Sequence, residues 1–121
     1  MTAKEIIDRA LCELGYLDFF GNPDGNIKMN IALSCLNSIY AELFYCLNSD
    51  GFKSCASVND KVDLPERILN DCMHYGVGMS IAAKEGDIVM QQNLCDIYNI
   101  KLGALNKGEK IGCTMPRECS L

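Results

Sequence analysis

Apolar residues at the start of the chain recur at helical spacing: Ile6, Ile7, Ala10, Leu11 and Leu14 share one face. Thr2 stands three residues before Glu5, the arrangement of a capping box in which each side chain satisfies a backbone N–H, and Gly15 supplies a stop. The spacing predicts a first helix over about 3–14. Residues 16–26 are rich in turn formers and predict a loop whose aromatics pack back on the helices. A second helix follows over about 26–48, with Ala32, Leu36, Ile39, Tyr40, Leu43 and Leu47 gathered on a core stripe. Asn30, Ser34, Asn37, Ser38 and Glu42 lie opposite.

The period then changes. Asn59-Asp60 separates two short stretches within 52–63, which predicts a short hairpin or an extended loop reaching away from the body. Leu64-Pro65-Glu66 opens a third helix, proline being suited to a first helical turn. Its stripe is Leu64, Ile68, Cys72, Tyr75, Met79 and Ala82. Gly76, Gly78, Ser80, Ala82 and Ala83 make it small-sided; glycine costs about 1 kcal/mol against alanine there, so close helix–helix approach is the expected compensation. Glu85-Gly86-Asp87 reads as stop, left-handed glycine and next N-cap, leading into a fourth helix over about 88–106. Leu94, Tyr98, Leu102 and Leu105 line its main face, with Cys95 beside them. Met90, Ile97, Ile100 and Ala104 widen the apolar arc beyond what one small bundle buries, so part of it is expected to meet a neighbouring subunit. Residues 107–121 lose all periodicity and read as a mobile C-terminal tail.

These elements predict an all-α protein, a small antiparallel helical bundle of about four helices, with the extended loop or short hairpin between helices two and three. The domain would span 1–106 and the tail 107–121. At 121 residues one core is all the chain can bury. No apolar run reaches the roughly 18–20 residues that cross a bilayer, and charges interrupt the first residues where a signal peptide would be apolar, so a cytosolic chain without a membrane segment is expected.

Charge narrows the partners. The net charge is −5, and residues 1–100 hold 7 Lys/Arg against 14 Asp/Glu, which leaves no basic groove for nucleic acid over the body. Residues 101–121 reverse the balance, 4 against 2, as a docking tail would. The eight cysteines include no C-x-x-C pair, which argues against structural zinc; most fall within helical patterns and are expected as reduced, buried thiols.

Candidate chemistry is sparse. His74 is the only histidine, and helical geometry groups it with Arg67 and Asp71 on a face expected to meet solvent. Cys72, two residues away, points elsewhere, so a cysteine–histidine pair would need another cysteine delivered by the fold. Asp18 with Asp24 and Glu85 with Asp87 sit in turns or at helix ends, where carboxylates cap the backbone. There is no glycine-rich phosphate loop, no H-E-x-x-H and no EF-hand spacing. No catalytic residue, cofactor or metal is expected, and the chain reads as a non-enzymatic interaction protein.

Four stretches, in order, have a familiar pattern of lengths and caps: the opening helix from Thr2 to Leu11 with Leu14-Gly15; the helix around Ala32 to Tyr40, ending near Asp50-Gly51; Val62-Asp63-Leu64-Pro65-Glu66 after an extended segment; and Tyr75-Gly76-Val77-Gly78-Met79 leading through Gly86-Asp87 to Gln91-Gln92. In these the chain resembles the head–tail connector (adaptor, or packaged-DNA-stabilising) proteins of tailed bacteriophages, over about residues 2–106. It differs from them in its eight cysteines and in lacking tryptophan on the second helix. The resemblance implies a structural protein of the virion, assembled in the bacterial host cytoplasm. Copies would form a homo-oligomeric ring under the portal protein, joining the DNA-filled head to the next tail or stopper component. DNA would pass through the channel without sequence-specific binding, and an acidic chain suits a channel that must not grip phosphates. Within this reading Lys107, Lys110, Met115 and Arg117 are the candidate portal-docking residues, and the 52–63 loop would reach a neighbour, the lumen or the next component. The alternative is a cytosolic helical regulatory or adaptor protein acting as an oligomer on a protein partner. A helix-turn-helix DNA binder and a thiol or metal enzyme are weaker alternatives.

Overall fold

The computed structural model describes residues 1–15, 29–47 and 51–109, with the backbone alone over 105–109. The expected loop over 16–26 lies outside these residues. Those described are all-α: α1 (Ala3–Leu14), α2 (Met29–Leu47), α3 (Glu66–Asp71), α4 (Met73–Glu85) and α5 (Ile88–Glu109), with no strand among them.

α1 has the predicted bounds because both ends are fixed locally. Glu5 N donates to Thr2 Oγ1 at 3.3 Å, the Glu5 carboxylate accepts from Thr2 N at 3.4 Å, and Gly15 closes the helix at φ +74°. The turn between α4 and α5 is equally local. Gly86 N donates to Ala83 O and Asp87 N to Ala82 O, the paired bonds of a Schellman motif, while Asp87 Oδ1 accepts from Met90 N at 3.1 Å as the α5 cap.

The expected third helix is two. It breaks at Cys72, whose φ of −124° lies outside helical geometry, although Cys72 N still donates to Ile68 O. No proline or glycine marks the break. α5 runs to Glu109, past the expected end near 106, so Lys107 stands on helical backbone.

α4 is the central element, packed against α1, α2, α3 and α5. Its buried residues, Met73, His74, Val77, Met79, Ile81 and Ala82 among them, lie all round the helix. The small residues permit this. A Cβ at Gly76 would stand 2.9 Å from Tyr98 Cε1 and 3.0 Å from Ile39 Cγ2, and one at Gly78 3.0 Å from Leu94 Cδ1. Gly76 thus lets α2 and α5 close over one point of α4.

Segment 51–65 forms neither a hairpin nor an arm reaching outward. It folds back on the body, because the first N–H groups of α1 need acceptors and the segment provides them. Ala3 N donates to Asp60 O at 2.9 Å and Lys4 N to Val58 O at 2.8 Å. Asn37 of α2 holds Cys55 by both backbone groups, at 2.8 and 2.9 Å, and the Tyr40 hydroxyl accepts from Asp63 N at 2.9 Å. Phe52 packs on Tyr40, Phe44 and Tyr45 with ring centroids 5.0–5.6 Å away. The face of α2 expected to be polar and outward is therefore partly a dock for the chain's own segment.

Candidate functional site

Two features could engage something outside the chain: a polar cavity where four helices meet, and the apolar residues left on the surface.

The cavity holds about 300 Å³. α1 contributes Arg9, Cys12 and Glu13, from the face opposite its buried stripe. Asn70 and Asp71 come from α3, His74 and Tyr75 from the first turn of α4, and Lys101 from α5. The sequence predicts an exposed His74; the structure buries it to 8% exposure. The correction has a tertiary cause: α1 and α5 close on α4 from both sides, so its first turn has no free face. Tyr75 lies against the imidazole at 4.1 Å between ring centroids. His74 Nδ1 is sealed from solvent without a hydrogen-bond partner. Burial pushes the imidazole below the ordinary histidine pKa. Glu13 and Asp71 pull it up and Arg9 and Lys101 push it down, so four charges from three helices converge on this ring. Arg9 Nη1 also donates to Asn70 Oδ1 at 3.3 Å, tying α1 to α3 across the cavity.

The cysteines divide by environment. Cys35, Cys55 and Cys72 are buried free thiols with raised pKa values. Burial leads in each case and, helped by Glu42 and Asp71, takes Cys72 to about 12. Such thiols stay protonated and unreactive. Cys46 and Cys95 are each disulfide-bonded, which corrects the expectation of a wholly reduced set. Cys12 is a free thiol and exposed, on the same cavity as His74. The fold thus lines one cavity with a cysteine and the histidine, 62 residues apart in the chain, which spacing along one helix could not reveal. No group of three or more His, Cys, Asp or Glu able to hold a metal occurs among the described residues.

A second cavity of about 400 Å³ lies between α2 and segment 51–63. Asp60 is already committed there: its carboxylate accepts from Ala56 N, Ser57 N and Ser57 Oγ, and the two backbone donors chiefly hold its pKa below the usual carboxylate range. Those bonds shape the turn that meets α1.

Of the four expected docking residues, Lys107 stands on the last turns of α5, and Lys110, Met115 and Arg117 lie outside the described residues. The apolar surplus expected on the last helix is visible at Ile100, 71% exposed, and joined by Val89 at 72% and Ile88. Ile31 and Tyr45 on α2 are also exposed. No helix among the described residues is long and apolar enough to cross a membrane.

The chain matches no protein-family model, no curated protein and no solved structure.

Proposed function

We propose that this chain is a non-enzymatic structural subunit of the phage head–tail connector type, an antiparallel helical bundle whose copies form a ring under the portal protein. The observation that carries this reading is the outward face of α5. Val89 and Ile100 are both more than two-thirds exposed. Eleven residues apart, they lie within about 20° of one another round the helix. α2 adds a second apolar surface: Ile31 and Tyr45 are exposed, Ser34 and Ser38 lie between them, and Glu42 is the helix's only acidic or basic residue. Two different surfaces on one molecule suit head-to-tail packing, which closes into a ring when the rotation allows. Interface centres are depleted in charge, as the α2 surface is; on α5 the exposed Asp96 lies between Val89 and Ile100.

In this reading the C-terminal residues Lys107, Lys110, Met115 and Arg117 dock on the portal, the opposite end meets the next tail or stopper component, and DNA passes through without sequence-specific contact. The acidic body supports the last point. The segment at 51–65, spent on capping α1, is assigned no reach to a neighbour. Quantitative mass spectrometry of purified particles from the source of this gene tests the proposal. The chain is expected in the particle at the copy number of the portal protein; particles that are complete without it would overturn the reading.

A further inference from the structure

Cys46 and Cys95 are each disulfide-bonded, while Cys12, Cys35, Cys55 and Cys72 are free thiols. Of the chain's eight cysteines only Cys113 and Cys119, both outside the described residues, remain. We propose that the C-terminal segment is a covalent strap on the body, fastened to α2 by a Cys46–Cys113 disulfide and to α5 by a Cys95–Cys119 disulfide, and released by a dithiol reductant.

A bond between Cys46 and Cys95 themselves is ruled out by the helix layout. Ile39 and Tyr98 both close on Gly76, so these two residues stand level on α2 and α5. The Lys84 charge acts on the Cys35 thiol and the Glu42 charge on Cys72, so α2 runs antiparallel to α4. α5 also returns antiparallel along α4, with Leu94 at Gly78 and Tyr98 at Gly76. α2 and α5 therefore point the same way. Cys46 lies seven residues beyond Ile39, and Cys95 three before Tyr98. The two are thus about 15 Å apart along the helix axes, whereas a disulfide needs its Cα atoms within about 7 Å. Each must be bonded to one of the two C-terminal cysteines.

Reach assigns the pairs. α5 ends at Glu109, fourteen residues past Cys95 and so about 21 Å along the axis. Cys113, four residues further on, extends about 14 Å from there. Even with the bridge's own span of about 6 Å it cannot double back to Cys95. Cys119, ten residues past Glu109, extends about 34 Å and covers the distance. Cys46 is exposed on the last turn of α2 and level with residue 105 of α5, only about 6 Å along the axis from Glu109, within range of Cys113. The six residues from Cys113 to Cys119 then span up to about 20 Å, enough to join two anchors offset by about 15 Å.

Opening is thiol–disulfide exchange. A dithiol gives two electrons and two protons to each bridge and becomes a disulfide itself, and the bridge becomes two cysteine thiols. Closing is the reverse, with a small-molecule disulfide as oxidant that leaves as two thiols. Met115 and Arg117 lie between the two anchors and Lys110 just ahead of the first. The closed strap holds these residues on the chain's own body, and the open one releases them to a partner. That consequence for docking rests on the ring proposal; the two bridges do not.

The test equilibrates the full chain with a mixture of oxidised and reduced glutathione, unfolds it in N-ethylmaleimide and maps the peptides without reduction. Cys46–Cys113 and Cys95–Cys119 peptides are expected, with alkylation at Cys12, Cys35, Cys55 and Cys72 alone; after dithiothreitol all eight cysteines should be alkylated. A second readout follows the strap in the folded chain. After brief trypsin cleavage at Lys110 and Arg117, the fragments 111–117 and 118–121 should stay with the body until dithiothreitol is added. Cys113→Ser should release only the first fragment and Cys119→Ser only the second. A Cys46–Cys95 peptide, the exchanged pairing, or Cys46 and Cys95 free or carrying glutathione would overturn the proposal, as would loss of either fragment from the natural chain before reduction. None of these outcomes bears on the ring, which particle composition tests.

Discussion

α4 and α5 are joined by one turn and packed along each other, yet they spend their apolar residues differently. From Met73 to Ala82 α4 buries residues all round its circumference and has no amphipathic face to read. α5 buries Leu94, Cys95, Tyr98 and Leu102 and leaves Val89 and Ile100 in solvent. A helix enclosed by neighbours needs small residues at its crossings, and Gly76 and Gly78 meet that need in α4. A helix on the outside needs apolar residues on one face only, so the extra ones on α5 are unexplained by the monomer. The contrast separates residues that hold the fold from residues available to a partner.

The most direct way to sharpen it is one substitution made on each helix. Ile81→Ala, at a position 2% exposed, should cost about 2–5 kcal/mol in denaturant unfolding, whereas Ile100→Ala should stay within about 0.5 kcal/mol. Similar losses would mean that the α5 face is structural. Next in size is Gly76→Ala. Its methyl would press into the Tyr98 ring and Ile39, and a net loss of about 1–3 kcal/mol is expected despite alanine's better helix propensity. A gain in stability would show that the crossing is looser than 2.9 Å implies. Thr2→Ala removes the α1 cap and should cost about 1 kcal/mol in thermal or denaturant unfolding.

The smallest expected effect is a pH dependence at the α4 start. Burial lowers the folded-state pKa of His74, so the unfolded chain binds the proton more readily. The histidine's contribution is therefore fully present above its unfolded value of 6.5. It declines as pH falls from there towards the lower folded value, and then levels off. Unfolding between about pH 7.5 and 5.5 should be measurably less pH-dependent in His74→Gln than in the natural chain. Identical slopes would place the titration elsewhere.

What was legible in the sequence follows the range of the forces involved. The bounds of α1, the Gly86-Asp87 turn and the burial of Ala32, Leu36, Ile39 and Leu43 rest on neighbours within a few residues, and pattern alone finds them. The break at Cys72 carries no turn residue, and a continuous apolar stripe ran across it. His74 has polar neighbours on its own helix face, and it is the packing of α1 and α5 on α4, far away in sequence, that buries it. Segment 51–65 departs from the expected outward course for the same reason, its acceptors being claimed by N–H groups of α1 some 55 residues earlier. That Cys12 and His74 line one cavity is likewise a product of packing, which no local pattern shows.

The central claim, that the outward face of α5 is an assembly surface, is tested most directly by supplying the Val89→Asp, Ile100→Asp double variant in place of the natural chain during particle assembly. The two chains should have the same helical circular dichroism and the same unfolding midpoint. The account predicts that the variant is absent from purified particles, or that particles fail to join heads to tails, while the natural chain is incorporated at the portal's copy number. Incorporation of the folded variant at that same copy number, with normal particles, would contradict it.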